Sequence, residues 1–521
     1  MSTFTNPILP GFYPDPSCIR VGDTFYMANS SFQFFPGIPI HKSKDLINWE
    51  LIGNAINRPS QLDLSAATTK VNNAARGEIF TGGVYAPTIR FHKGTFYIVC
   101  TMLSGTVDMK SDEDFQPRNF IISATDLEDP QSYSDLIYFD FYGIDPSLFF
   151  DDDTGKVYVQ GSWIHGYRKT PATVIRQAEI DLATGELLSE CKDIWGGHTG
   201  KVPEGPHIYK KDGWYYLLIA EGGTHGRHKI TMARARGIWG PYDTYQGNPV
   251  LTAEGSSGVV QCVGHGDLVL DGEGQWWCVM LARREYGGSF PLGRETFLTA
   301  VEWEEGEFPV FETVEVEQRV QRSVASKLVD GSFKAVELKS PLALYLRTPE
   351  LEYYKQDGSE IILTPTEGDL DALEGTLTFV GQRQTSLDSA ATVTLPMDVS
   401  PARNAFYGLA VYKDPFRYVA LEYSAEHSVL SLKHQEAGKG LVTVSSISIQ
   451  DATALQLSIT STTEKYTFRA LKSPPGDGKD ILSGEVPCSA LSGDDFTGTV
   501  YAIYASGDNA PVKFKDFEIQ N

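Results

Sequence analysis

Asp145-Pro-Ser-Leu-Phe-Phe-Asp-Asp-Asp-Thr-Gly-Lys-Val-Tyr begins with a tight-turn dipeptide, runs into an apolar strand, turns on a polar tip and returns as a second strand. The same order of residue types recurs in Asp15-Pro-Ser-Cys-Ile-Arg-Val-Gly-Asp-Thr-Phe-Tyr, Ala86-Pro-Thr-Ile-Arg-Phe-His-Lys-Gly-Thr-Phe-Tyr, Glu204-Gly-Pro-His-Ile-Tyr-Lys-Lys-Asp-Gly-Trp-Tyr-Tyr and His265-Gly-Asp-Leu-Val-Leu-Asp-Gly-Glu-Gly-Gln-Trp-Trp. In chain order the five copies start 71, 59, 59 and 61 residues apart. Gly and Asp at the tips supply the backbone freedom that hairpin turns demand. Such a period leaves room for one four-stranded sheet with its loops. Five sheets arranged radially make a five-bladed β-propeller. Unrelated hairpins in a sandwich would not space themselves so evenly.

A propeller gathers the equivalent starts of its innermost strands at one end of a central channel. The motif starts are Asp15, Ala86, Asp145, Glu204 and His265. Singly, Asp before Pro is an ordinary turn starter. Together, three carboxyls and an imidazole around one channel form a catalytic candidate. Carboxyls that close push one another's pKa apart, so one serves as acid and another as base. Glycoside hydrolysis requires that pair. A ring that holds a metal or senses an anion on a non-catalytic scaffold is the rival reading. His225 and His228 stand in a Gly-rich loop after the fourth copy and read mainly as structural, with pocket wall as the alternative. Asp151-Asp152-Asp153 reads as a solvated hairpin tip, and Trp276-Trp277 as core.

Beyond Gln318 the aromatic hairpins stop and alternating strands take over, among them Tyr407-Gly-Leu-Ala-Val-Tyr, Tyr418-Val-Ala-Leu-Glu-Tyr and Leu455-Gln-Leu-Ser-Ile-Thr. The expected class is all-β, with a propeller over 1–318 and a β-sandwich of the jelly-roll kind over 319–521. The link carries no Pro/Gly/Ser-rich spacer, so the two should be docked. With 44 Lys+Arg against 67 Asp+Glu the net charge is −23, which argues against nucleic acid and against a basic lipid anchor. No apolar run is long enough to span a membrane. The start lacks a signal-peptide pattern, so a cytoplasmic location is favoured, with secretion open if a leader was removed. The six scattered cysteines contain no CxxC pair and read as reduced core thiols. Oligomeric state is left open.

Asn6-Pro-Ile-Leu-Pro-Gly-Phe-Tyr-Pro-Asp-Pro-Ser, Ser31-Phe-Gln-Phe-Phe-Pro-Gly-Ile-Pro-Ile-His, Gly143-Ile-Asp-Pro-Ser-Leu-Phe, Glu204-Gly-Pro-His-Ile-Tyr, Ala220-Glu-Gly-Gly-Thr and Leu292-Gly-Arg-Glu-Thr resemble glycoside hydrolase family 43, and its two-domain β-xylosidases most. Val380-Gly-Gln-Arg-Gln-Thr and Ala410-Val-Tyr-Lys carry the resemblance, more loosely, into the second half. The resemblance implies an exo-acting, inverting hydrolase that frees terminal β-xylose from xylo-oligosaccharides, with α-L-arabinofuranosidase as a second or main activity. It makes Asp15 the general base, Glu204 the general acid and Asp145 the residue that tunes the acid. It places Phe32, Trp163, His265 and Arg294 at the sugar, with Trp163 on the leaving-group side. Tyr85 stands where relatives commonly have Trp, so a smaller ring with a new hydroxyl would stack on the sugar. No cofactor is required. Some members hold a calcium ion or a water beside the His265 position, so a Ca²⁺ on the axis is left open. Fructan hydrolases share the architecture but would show Asn-Asp-Pro-Asn-Gly and a Glu-Cys acid, which this chain lacks. The stretches Leu62 to Thr81 and Ser104 to Arg118 are expected near the pocket mouth.

Overall fold

A computed structural model describes residues 2–73, 78–104, 116–166, 169–320, 331–397, 404–473 and 480–521. Among them the repeat forms five antiparallel sheets, each led by its innermost strand. Those strands are Ser17–Val21, Gly83–His92, Gly143–Asp151, Glu204–Lys211 and Val260–Leu270. Each packs against the next, and the last returns to the first, so the sheets close a circuit around one axis. The hairpin tips obey turn chemistry. Lys93-Gly94 and Asp212-Gly213 both take positive φ at both positions, which two-residue hairpin turns require.

The circuit closes on polar groups as well as apolar ones. Asp267 sits two residues along the fifth inner strand from His265, fully buried. It accepts hydrogen bonds from Ser17 Oγ of the first sheet at 2.8 Å, Arg90 Nη1 of the second at 2.8 Å and Tyr209 Oη of the fourth at 2.6 Å. One carboxylate thereby ties four sheets together. The guanidinium beside it holds it well below the usual carboxylate range against the opposing effect of burial, which is the largest single influence.

The second half is a sandwich. A six-stranded sheet runs in the order Thr378–Arg383, Val500–Gly507, Ala405–Asp414, Arg417–Ser424, Val429–Glu436, Gly440–Ser448. The other sheet is built around Val512–Gln520, Ser389–Pro396, Ala454–Ser461 and Lys465–Ser473. Leu455, Leu457 and Ile459 alternate with exposed or half-buried neighbours, so this sheet turns one face to the core. The central strands of the six-stranded sheet are buried along their length except at Phe406, which is half-buried. Leu409, Val411, Val419 and Leu421 face the opposite sheet, whereas Ala410, Tyr412, Tyr418 and Tyr504 pack with Phe12 and Phe34 of the propeller.

The two halves also share backbone. Phe34–Phe35 pairs antiparallel with Tyr345–Leu346. Arg347, fully buried, donates to the carbonyls of Ala372 at 2.6 Å and Gly375 at 3.1 Å, and its own N–H reaches Gln33 O at 2.8 Å. Gly293 has φ +73°, and a Cβ there would lie 2.4 Å from Thr497 O. Only glycine lets the sandwich segment approach that closely.

Candidate active site

Positive φ marks the end of the channel where the side chains converge. Asp15 (54°), Ala86 (40°), Asp145 (55°), Gly205 (55°) and His265 (46°) lie on or just ahead of the five inner strands in the left-handed region, and each is followed by Pro or Gly. For a residue with a side chain that conformation costs about 1–3 kcal/mol and persists only where surroundings enforce it. The spacing corrects the sequence alignment at one point: the fourth member of this ring is Gly205, and Glu204 stands one residue before it. The intervals become 71, 59, 60 and 60. Glu204 therefore belongs to a second tier with Pro14, Tyr85, Ile144 and Gly264. The absent side chain at Gly205 leaves space for the imidazole of His265, whose ring atoms lie 3.0–3.2 Å from where a Cβ would be.

A cavity of about 210 Å³ opens over the two tiers. One water needs roughly 10–15 Å³ by this measure, so the space is on the scale of a monosaccharide with a few waters. Asp15, Asp145, Glu204, His265, Arg294 and Tyr85 all line it, and so does Phe496 from the sandwich.

Asp15 is 5% exposed and accepts from Ser30 Oγ at 2.5 Å and from Arg294 Nη1 at 3.2 Å. The Ser30 hydroxyl in turn accepts the Ala86 N–H at 2.7 Å, so two inner strands fix one carboxylate. Asp145 accepts the Gly205 N–H at 3.0 Å. Burial, then the Asp15 charge, push Asp145 up to about 6, while His265, the Gly205 amide and Arg294 resist. His265 Nδ1 stands between the two, 3.9 Å from Asp15 Oδ1 and 4.0 Å from Asp145 Oδ2. The Glu204 side chain is 13% exposed. Burial lifts its pKa well above the carboxylate range, and the Asp145 and Asp15 charges add to this. Of Asp145 and Glu204, Glu204 is the more inclined to keep its proton.

Arg294 bridges the domains: Nη1 donates to Thr224 Oγ1 at 2.7 Å and Nη2 to Phe496 O at 3.2 Å. Tyr85 lines the cavity, but its hydroxyl donates to Thr81 O, so it is not turned toward a sugar by that bond. Phe32 is fully buried behind the wall, packed edge-on to Tyr85 and stacked on Phe496. Trp163 does not join the site. Period-two alternation sends Ile164 to the cluster around the cavity, while Trp163 packs on Phe141 and Tyr142 with the Arg176 guanidinium 4.3 Å above its ring. Glu78 and Phe80, inside one of the two unusual stretches, line the cavity, and so does Leu103. Most of the other stretch, 105–115, lies outside the described residues, as do 74–77.

Sequence reading missed Phe496, Ser30 and Thr224. Thr224 closes the quoted Ala220-Glu-Gly-Gly-Thr and could have been found there. His225 lines the cavity, and His228 sits behind Glu204. Among the described residues no group of three or more His, Cys, Asp or Glu is arranged to hold a metal ion. None of the helices described is long and apolar enough to cross a membrane.

Three carboxyl groups around a sugar-sized cavity, on a propeller closed by a sandwich, are the arrangement that glycoside hydrolysis requires. The chain belongs to glycosyl hydrolases family 43. The model of that family matches residues 4–309, and the β-xylosidase C-terminal concanavalin A-like domain matches residues 342–520. A xylosidase/arabinosidase of Butyrivibrio fibrisolvens is 44% identical over 310 residues, 58% of this chain and 55% of that protein. A non-reducing end α-L-arabinofuranosidase of Bacteroides ovatus is 32% identical over 97% of this chain and 92% of its own length. The crystal structure of a xylan β-1,4-xylosidase from Bacillus halodurans superposes with a TM-score of 0.88 at 28% identity, covering 99% of this chain and 100% of that one. The match spans 55% and 54% of the Butyrivibrio fibrisolvens and Humicola insolens relatives, about half of each.

Proposed function

We propose that the protein is an exo-acting, inverting glycosidase that releases terminal β-D-xylose from xylo-oligosaccharides and also accepts α-L-arabinofuranose. One observation carries this reading: Glu204, inclined by burial to keep its proton, shares a sugar-sized cavity with Asp15, a carboxylate held by Ser30 and Arg294. In the reaction a water on the far side of the sugar gives its proton to Asp15 as its oxygen attacks the anomeric carbon. Glu204 protonates the departing glycosidic oxygen. Inversion needs about 6.5–9.5 Å between the two carboxyls, to leave room for that water. Asp145 adds negative charge beside Glu204 and so helps it to hold the proton until the leaving group takes it. Arg294 has a buried Nε without a hydrogen bond among the described residues, and its guanidinium lies at the cavity wall, suited to sugar hydroxyls. Phe80, Tyr85 and Phe496 supply an apolar wall for the C–H face of the ring.

The propeller of 1–318 and the sandwich of 319–521 act in this reading as one unit, because Phe496 completes the wall of a cavity otherwise made by the propeller. The arabinofuranosidase activity is supported by the Bacteroides ovatus relative, a non-reducing end α-L-arabinofuranosidase that matches nearly the whole chain. Nitrophenyl β-xyloside and α-arabinofuranoside, assayed side by side, give the ratio of the two.

The roles are tested by leaving-group dependence. Glu204→Gln should lose most activity on xylobiose, whose leaving group needs a proton, and much less on activated aryl xylosides. Asp15→Asn should lose activity on both alike. Identical responses of the two variants would overturn the assignment. No step is given to a metal. Dialysis against a chelator should leave xylosidase activity unchanged, and loss restored by Ca²⁺ would place an ion in the working enzyme, with the axis beside His265 the first place to look.

A further inference from the structure

The second tier of the cavity has a gap at Gly264, and a residue from another sheet fills it. Pro14, Tyr85, Ile144 and Glu204 each carry a side chain at this level, but Gly264 has none. A Cβ there would fall 2.5 Å from three ring atoms of His228. The imidazole of His228 therefore takes the place that a side chain of the fifth sheet would occupy. It comes from the residue just before the strand Lys229–Ala235, and its side chain is fully buried.

Its two nitrogens have different surroundings. Nδ1 is 3.3 Å from the carbonyl oxygen of Cys262, which can only accept, so Nδ1 carries the hydrogen. Among the described residues Nε2 has no hydrogen-bond partner, and it lies 3.6 Å from Glu204 Oε1. Burial, joined by the charges of His265 and Arg294, keeps the ring neutral at working pH. Nε2 therefore presents a lone pair to Glu204. An ionised carboxylate would face it lone pair to lone pair. A carboxylic acid would point its O–H at it, and catalytic hydrogen bonds of this length in empty sites commonly tighten with substrate bound.

We propose that His228 is a positioning residue that accepts a hydrogen bond from protonated Glu204, aiming the acid and favouring its proton-bearing form. The inference rests on the reading of Glu204 as general acid. The titratable and charged groups around the pair are Asp15, Asp145, His265, Arg294 and His225. All of them remain when His228 is replaced.

The test uses the full chain with His228→Phe, which keeps the ring shape, and His228→Asn, which keeps a donor for Cys262 O but has nothing at the Nε2 position. Glu204→Gln is assayed beside them. Removing the acceptor makes the acid ionise more easily, so the alkaline limb of the kcat profile should move to lower pH. Activity on xylobiose should fall roughly tenfold or more, with little change on a dinitrophenyl xyloside, because only the former needs the proton. KM should hardly move. An unmoved alkaline limb, or a loss equal for all leaving groups, in whichever variant melts as the parent does, overturns the proposal. If both variants fail to fold, His228 is a packing residue and the proposal is likewise overturned. If Glu204→Gln itself shows no leaving-group dependence, the acid assignment fails, which is a different result from failure of the His228 variants alone.

Discussion

Asp15 and Asp145 were legible as residues because each opens an Asp-Pro-Ser copy of the repeat. Glu204 was legible too, but its place was off by one. The alignment matched carboxylate to carboxylate, whereas the backbone matches positive φ to positive φ, and Gly205 is the residue that takes it. Trp163 was misplaced for a related reason: a one-residue step along a strand reverses the face, and Ile164 has the inward one. The cost of gathering these groups can be measured. Asp145 is pushed up to about 6 in the fold, by burial and then by Asp15, against a usual carboxylate value near 4. Between about pH 4 and 6 the folded state then binds more protons than the unfolded chain, so stability falls as pH rises through that window. Asp145→Asn and Glu204→Gln should therefore raise the melting temperature by a few degrees above pH 6. The gain should vanish below about pH 4, where the carboxyls are protonated in both states. Melting curves across pH check this, and a loss of stability at pH 7 would contradict it.

Among the elements, the inner strands were the most legible and the domain contact the least. Leu455-Gln-Leu-Ser-Ile-Thr alternates and is one-sided, as its pattern suggests. Tyr407-Gly-Leu-Ala-Val-Tyr and Tyr418-Val-Ala-Leu-Glu-Tyr are nearly continuous apolar runs, the mark of a sheet covered on both faces. These two strands were expected to alternate like the first, and they are buried on both faces because the propeller covers the second face. Val380-Gly-Gln-Arg-Gln-Thr, noticed only as a resemblance, turns out to carry Arg383. Its Nε donates to Phe12 O at 3.0 Å, and its guanidinium lies 4.5 Å over Phe12 and 4.4 Å over Tyr13, just ahead of Asp15. Arg383→Leu should cost about 2–4 kcal/mol, from one charged hydrogen bond and two ring contacts. It should also lower kcat/KM several-fold by loosening the segment that carries Asp15, the proposed base. Replacing Lys465, exposed and paired with Glu485 at 2.7 Å, should change stability by less than about 1 kcal/mol. Denaturant titration of both variants compares them directly.

Across the whole molecule, the sandwich supplies a wall to the propeller's cavity through Phe496, and this no local reading could find. Phe496 lies 202 positions from Arg294, whose guanidinium it receives. Its neighbour Asp495 is held in a buried set of charges with Lys413 at 3.2 Å and Arg417 at 2.6 Å, so the wall residue is anchored in the second domain's own core. The net charge of −23 would have little to steer in the proposed uncharged sugar, so in this account recognition falls to the cavity. The central claim is that Asp15 delivers water to one face of the sugar while Glu204 releases the leaving group from the other. Proton NMR of the first product formed from a β-xyloside tests it most directly. The account predicts α-xylose, appearing before mutarotation produces the other anomer. β-Xylose as the first product would mean a covalent intermediate and a nucleophilic carboxylate, and would contradict the roles given to both residues.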